Sequence, residues 1–295
     1  MLAGMAAPEP SALDSPVPVT SSDGLTVAAY DLGGDGPDVL LVHATGFCAG
    51  VWAPVVEHLD GFRVAALDVR GHGRSDAPEV EPTNGMSWAG TAADVLAVVD
   101  GLGLERPVGV GHSMGGASLL IAELDRPGTF RGVWAFEPIV MPPEVAAGGS
   151  NPLAEGARRR RRTFESRQAA YDNFASKPPF AALDPSALAA YVRDGFAEAE
   201  DGSVSLRCRP EVEAATYEMG SQHHTFERLG GIDTEVTVVR GREDPFSPAV
   251  FAPAVAEAIP RGTLEDHPDL GHFGPLEDPA AIAASIRAAA GRVTR

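Results

Sequence analysis

The stretch "PVGVGHSMGGASLLIAEL", Pro107–Leu124, sets a serine between an apolar run of the kind that makes a buried strand and a segment with helical periodicity. Residues Gly111-His112-Ser113-Met114-Gly115 fit the pattern G-x-S-x-G. A turn this tight forces the serine into a strained backbone, and glycines two positions to either side relieve the clash. The hydroxyl is pushed out above the strand end. The helix starting at Met114 aims its first N–H groups at the same spot, where negative charge can be stabilised. A serine that merely caps a helix after a glycine-rich turn has the same local pattern, and the strand-turn-helix context separates the two.

Working outward, "VPVTSSDGLTVAAYDLG" reads as two short strands joined by an Asp23-Gly24 turn. Six further strand candidates follow: "DVLLVHA", "FRVAALD", "PVGVGHS", "RGVWAFE", "TEVTVVRG" and "GTLEDHP". Most are apolar throughout, as strands buried on both faces are. Helical segments at Ser87 to Leu102, Met114 to Leu124, Pro248 to Ile259 and Pro279 to Ala289 lie between or after them. Such an order predicts a mainly parallel sheet covered by helices on both faces.

One interval breaks the alternation. From Ile139 to Arg228 no convincing strand occurs, only Pro/Gly-rich loops and Ala-rich helical stretches such as Pro185 to Ala199, too long for a plain connection. The organisation expected is a flexible tail over 1–16, a core made of 17–138 and 229–295, and a helical cap over 139–228.

A serine needs a base to take its proton, and the base needs a partner to fix its tautomer. His272, in "DLGHFGPLEDP", follows the last strand candidate, at the same strand end as Ser113. Asp244, in "VVRGREDPFSP", follows the preceding strand by a short loop. Ser113, Asp244 and His272 thus occur in the chain order Ser, Asp, His, each on a loop at one sheet edge, which predicts a catalytic triad. Glu137, in "WAFEPIV", competes for the acid role; the loop holding Asp244 has the commoner placement for that order.

Composition narrows the function classes. The 295 residues suffice for one large domain with an insertion, and 44 % hydrophobic residues can build its core. A net charge of −18 argues against nucleic acid or an anionic membrane surface as the main partner. Cys48 and Cys208 stand far apart with no metal-like spacing, so neither a disulfide framework nor a structural metal site is expected. The N-terminal "MLAGMAAPEPSALDSPVPV" has no basic segment and no unbroken apolar one, which points to a cytoplasmic protein, and no run reaches the roughly 18 apolar residues of a membrane span.

Taken together, "LLVHATGF", "LDVRGHGRSDAP", "GHSMGG", "GREDPFSP" and "GHFGPLEDP" make the chain resemble the α/β-hydrolase superfamily along almost its whole length. The resemblance implies an eight-stranded sheet with the nucleophile after the fifth strand and a cap after the sixth. It makes Ser113 the nucleophile, His272 the base and Asp244 the acid. A serine nucleophile sets the chain apart from the epoxide-hydrolase and haloalkane-dehalogenase branches. The resemblance also places one oxyanion donor at the Met114 N–H and the second in His43-Ala44-Thr45-Gly46-Phe47. Counting from His43 gives Thr45, the preferred reading because the nine-residue spacing to Trp52 leaves no room for an insertion; aligning on Gly46 gives Phe47. With Thr45 as donor, Phe47 becomes a wall of the substrate pocket.

His43, His72 and His112 read as buried groups that hold loops. His223 and His224 either face substrate or form a solvated pair. The run Arg158 to Arg162 reads as a solvated helix face balanced by carboxylates, with room for one arginine to reach inward toward a substrate carboxylate.

The expectation is therefore a serine hydrolase acting on an ester, lactone or related acyl bond of a small molecule, with no metal or organic cofactor. The same triad can also hydrolyse a carbon–carbon bond, make peracids or support cofactor-free lyase chemistry, and a ligand receptor can keep a vestigial triad. Fold alone does not name the substrate.

Overall fold

The computed structural model describes residues 13, 15–81, 84–144, 151–220, 222–244 and 247–294; most of the expected tail over 1–16 lies outside the described residues. Among the described residues eleven strands run in chain order: β1 Val17–Thr20, β2 Thr26–Gly33, β3 Asp38–Val42, β4 Arg63–Leu67, β5 Val108–His112, β6 Gly132–Phe136, β7 Thr163–Phe164, β8 Phe196–Glu198, β9 Val204–Leu206, β10 Glu235–Arg240 and β11 Gly262–Asp266. Eight of them form one sheet in the order β1-β2-β4-β3-β5-β6-β10-β11.

The opening hairpin pairs β1 with β2, and β2 with β4, antiparallel; every pair from β4 to β11 is parallel. Gly24 supplies the positive φ, +89°, that its turn requires. β5 and β6 are buried at all their positions, since side chains on both faces are covered. Helices Trp88–Gly101 and Met114–Asp125 bury Val95, Val98, Ala117 and Leu120 against one face. The C-terminal helix Pro279–Val293 buries Ile282 and Ile286 against the other. Chain order and sheet order together carry the ends of β3, β5, β6, β10 and the loop after β11 to one edge, where ligands bind in open parallel sheets.

The insertion between β6 and β10 differs from a purely helical cap. It contains a second, antiparallel sheet of order β7-β9-β8 among the helices Pro152–Arg158, Arg167–Ala175, Pro185–Asp194 and Pro210–Glu218. These strands are two or three residues long, too short to show alternation in sequence. What holds them is tertiary: Phe164 and Phe196 pack ring to ring, 5.9 Å apart, in the core. The helix expected to reach Ala199 stops at Asp194, and the chain then enters β8.

The insertion rests on the loops at the carboxyl edge of the main sheet. Trp88 Nε1 donates to Met219 O at 2.7 Å, Asn84 Nδ2 to Ala215 O at 2.8 Å, and Asp184 N to Leu276 O at 2.8 Å. Among the described residues, no helix is long and apolar enough to cross a membrane.

Candidate active site

Ser113 stands at φ +55°, ψ −112°, between β5 and the helix Met114–Asp125. Few side-chain-bearing residues adopt such a conformation, and the surroundings enforce it. A Cβ on Gly111 would lie 2.5 Å from Gly116 N, and one on Gly115 would lie 2.2 Å from Val42 O. Both positions therefore exclude any larger residue. Ser113 N donates to Phe136 O at 2.8 Å, tying the turn to the end of β6.

His272 lies in the loop between β11 and the helical turn Gly274–Glu277. Its Nδ1 donates to Glu137 Oε2 at 2.6 Å, which fixes the tautomer and leaves Nε2 as the acceptor. The ring packs on His112, centroids 5.0 Å apart, and His112 Nε2 donates to the His272 carbonyl at 2.8 Å. His112 is the residue before Ser113, so this contact brings the His272 loop to the strained turn.

Glu137 is fully buried immediately after β6, at φ +43°. Besides His272, its carboxylate accepts Ser247 Oγ at 2.6 Å and Gly241 N at 2.9 Å. Burial alone would raise its pKa; the hydrogen bond and charge of His272, with the two further donors, outweigh burial and hold it below the usual carboxylate value. Asp244, expected on the histidine, stands exposed on the loop after β10. The contact sought for Asp244 is made by Glu137, because β6 lies between β5 and β10 and its last residue sits directly beside the Ser113 turn. Ser247 was not singled out by sequence; its hydroxyl also accepts Ala249 N at 3.2 Å, capping the short helical turn Pro248–Val250.

In the loop after β3, Phe47 N donates to Ala44 O at 3.2 Å, whereas Thr45 N makes no hydrogen bond among the described residues. The Phe47 ring is buried against Phe180, Tyr191 and Phe273, at 5.8, 5.2 and 5.4 Å. Phe273 in turn adjoins His272.

The other histidines divide by partner. His43 Nδ1 donates to Ala44 O at 2.8 Å and Nε2 accepts Val69 N at 3.0 Å, so the neutral ring ties two loops together. Burial lowers its pKa to about 4, and that of His72 to about 3, where the neighbouring His43 adds to the effect. His223 Nε2 donates to Ile139 O at 2.8 Å under Trp88, while His224 is exposed. Among the described residues, no group of His, Cys, Asp and Glu could hold a metal ion.

The model for the α/β hydrolase fold matches residues 37–279, and the chain belongs to that family; it is a serine hydrolase. A non-heme chloroperoxidase of Streptomyces lividans is 31% identical over 267 residues, 86% of this chain and 92% of that protein. A bifunctional esterase/perhydrolase of Acinetobacter calcoaceticus is 27% identical over 286 residues, 90% and 95% of the two chains. Among solved structures, E-2-(acetamidomethylene)succinate hydrolase superposes with a TM-score of 0.78 at 22% identity, covering 94% of this chain and 99% of that one, a likeness of fold.

Proposed function

We propose that the protein hydrolyses an ester or lactone of a small molecule through Ser113, His272 and Glu137. The observation that carries this reading is the bond from His272 Nδ1 to the buried Glu137 carboxylate, beside a serine held in a strained turn. Ser113 Oγ attacks the substrate carbonyl as His272 Nε2 takes its proton. Glu137 holds the imidazole in the required tautomer and stabilises the imidazolium. The oxyanion is held by the Met114 and Thr45 N–H groups; the Phe47 N–H is already committed to Ala44. His272 then protonates the departing alcohol, and water activated by the neutral histidine releases the acid from Ser113. Residues 139–228 act as a cap over this edge, and Phe47 is a wall of the acyl pocket.

The two relatives named for peroxide chemistry support a second reading of the same acyl-enzyme: hydrogen peroxide in place of water would release a peracid.

A panel of 4-nitrophenyl esters and lactones, assayed with the wild type and Ser113→Ala, tests the proposal. Turnover by the wild type and a loss of roughly 10³-fold or more in a folded Ser113→Ala protein are expected. Residual turnover within tenfold of wild type overturns it.

A further inference from the structure

Of the five arginines Arg158 to Arg162, one is turned inward. The Arg160 side chain is 17% exposed, against 47% and 53% for Arg158 and Arg161, which pair with Glu218 and Glu165 on the surface. Arg160 Nη1 donates to Glu213 Oε2 at 2.5 Å and Nη2 donates to the Tyr191 hydroxyl at 2.6 Å. Its guanidinium carbon lies 5.7 and 6.0 Å from the ring centres of Phe174 and Phe180. A Cβ on Gly46, between Thr45 and Phe47, would be 3.4 Å from Nη1, so the cation stands directly behind the proposed oxyanion loop.

This network has donors left over. A guanidinium carries five N–H groups, and among the described residues the Arg160 guanidinium makes two hydrogen bonds. Tyr191 is 1% exposed; its oxygen accepts from Arg160, and its hydroxyl hydrogen donates to no group among the described residues. A buried hydroxyl normally finds an acceptor. Burial holds the phenol protonated, its pKa raised to about 12, so the donor persists at neutral pH. Phe180 and Tyr191 both pack on Phe47, and Phe273 beside His272 continues this row of contacting rings from His272 to the two donors.

We propose that Arg160 and Tyr191 together bind a carboxylate carried by the substrate, at the end of this aromatic row away from His272. The inference rests on the hydrolase reading and names its substrate class: a small acid that also bears an acyl bond. Glu213 already compensates part of the Arg160 charge, so the gain for an anion is moderate, roughly tenfold, rather than that of an unpaired cation.

Two matched pairs test this: mono-4-nitrophenyl adipate against 4-nitrophenyl hexanoate, and the hexanoyl esters of 4-hydroxybenzoate and 4-hydroxybenzamide. In at least one pair, Arg160→Gln should lower the acid-to-neutral ratio of kcat/KM by roughly tenfold, and Tyr191→Phe, which removes a single atom, should lower it by roughly threefold or more. Exposed Arg159→Gln should leave the ratio within twofold. A merely structural tie predicts equal losses on both members of each pair, and that result, in whichever of the Arg160 and Tyr191 variants folds, overturns the inference. A wild type that takes no fluorophosphonate on Ser113 overturns the hydrolase reading and this inference with it; a labelled protein with unchanged ratios overturns the inference alone.

Discussion

Glu137 and His272, 135 positions apart in sequence, share a 2.6 Å hydrogen bond between Oε2 and Nδ1, and the carboxylate end of that bond is closed to solvent. Glu137 also accepts from Ser247 on the same oxygen and from Gly241 N on the other, so the group is held in one orientation. With Nδ1 bound to Glu137, Nε2 is the ring nitrogen left to take a proton from Ser113 in the proposed mechanism.

Glu137→Gln should therefore lower kcat by several orders of magnitude, roughly 10³ to 10⁴ on the precedent of triad acids replaced by their amides. An amide that keeps its oxygen toward Gly241 N turns its NH₂ toward Ser247 and His272, which forces the proton onto Nε2, the wrong tautomer. Asp244→Asn, at an exposed position, should stay within a few-fold of wild type. Steady-state rates of the two variants on one ester decide between them, and the reverse ranking returns the acid role to Asp244.

Acid should destabilise the protein from about pH 6.5 downward. The folded pKa of His43 is depressed from 6.5 to about 4 and that of His72 to about 3, so between these values the unfolded chain binds protons that the folded one refuses. The stabilising contribution is fully present above 6.5 and declines as pH falls; at pH 5 it has lost about 2 kcal/mol for His43 alone. Glu137, also depressed, adds its loss only below its unfolded value of 4.5. Urea midpoints between pH 7.5 and 4.5 should fall along this course. A flat profile down to pH 5 would contradict it.

Two glycines should respond in opposite directions to alanine. In Gly115→Ala the new carbon meets Val42 O at 2.2 Å, which requires backbone movement and should cost about 1–3 kcal/mol together with most of the activity. In Gly156→Ala, within the helix Pro152–Arg158, nothing lies within 4 Å, and the gain in helix propensity should add about 0.5–1 kcal/mol. Chemical denaturation measures both. Equal effects would show that the elbow tolerates a side chain.

The sheet and the serine turn were legible because their causes are local. Apolar strands such as Val108–His112 announce burial on both faces, and the spacing of Gly111 and Gly115 around Ser113 announces the strained turn. The carboxylate that meets His272 was not legible. The ends of β6 and β10 are neighbours in the sheet, so Glu137 and Asp244 both fall at the same edge; chain order favoured Asp244, whereas the hydrogen bond from His272 goes to Glu137. What separates them is the burial and positive φ of Glu137 and its two donors, Ser247 and Gly241, which arrive from another loop. The inward turn of Arg160 was likewise hidden, since five consecutive arginines look alike until Glu213 and Tyr191, 53 and 31 residues away, are folded against one of them.

The central claim is that Ser113 is an activated nucleophile, and covalent labelling tests it most directly. The wild type incubated with a fluorophosphonate at pH 7.5 should take up one phosphonyl group per chain, located by peptide mass spectrometry on Ser113, with labelling slowed by roughly 10³-fold or more in Glu137→Gln. An unlabelled wild type, or a label found on another residue while Ser113 stays free, would contradict the account.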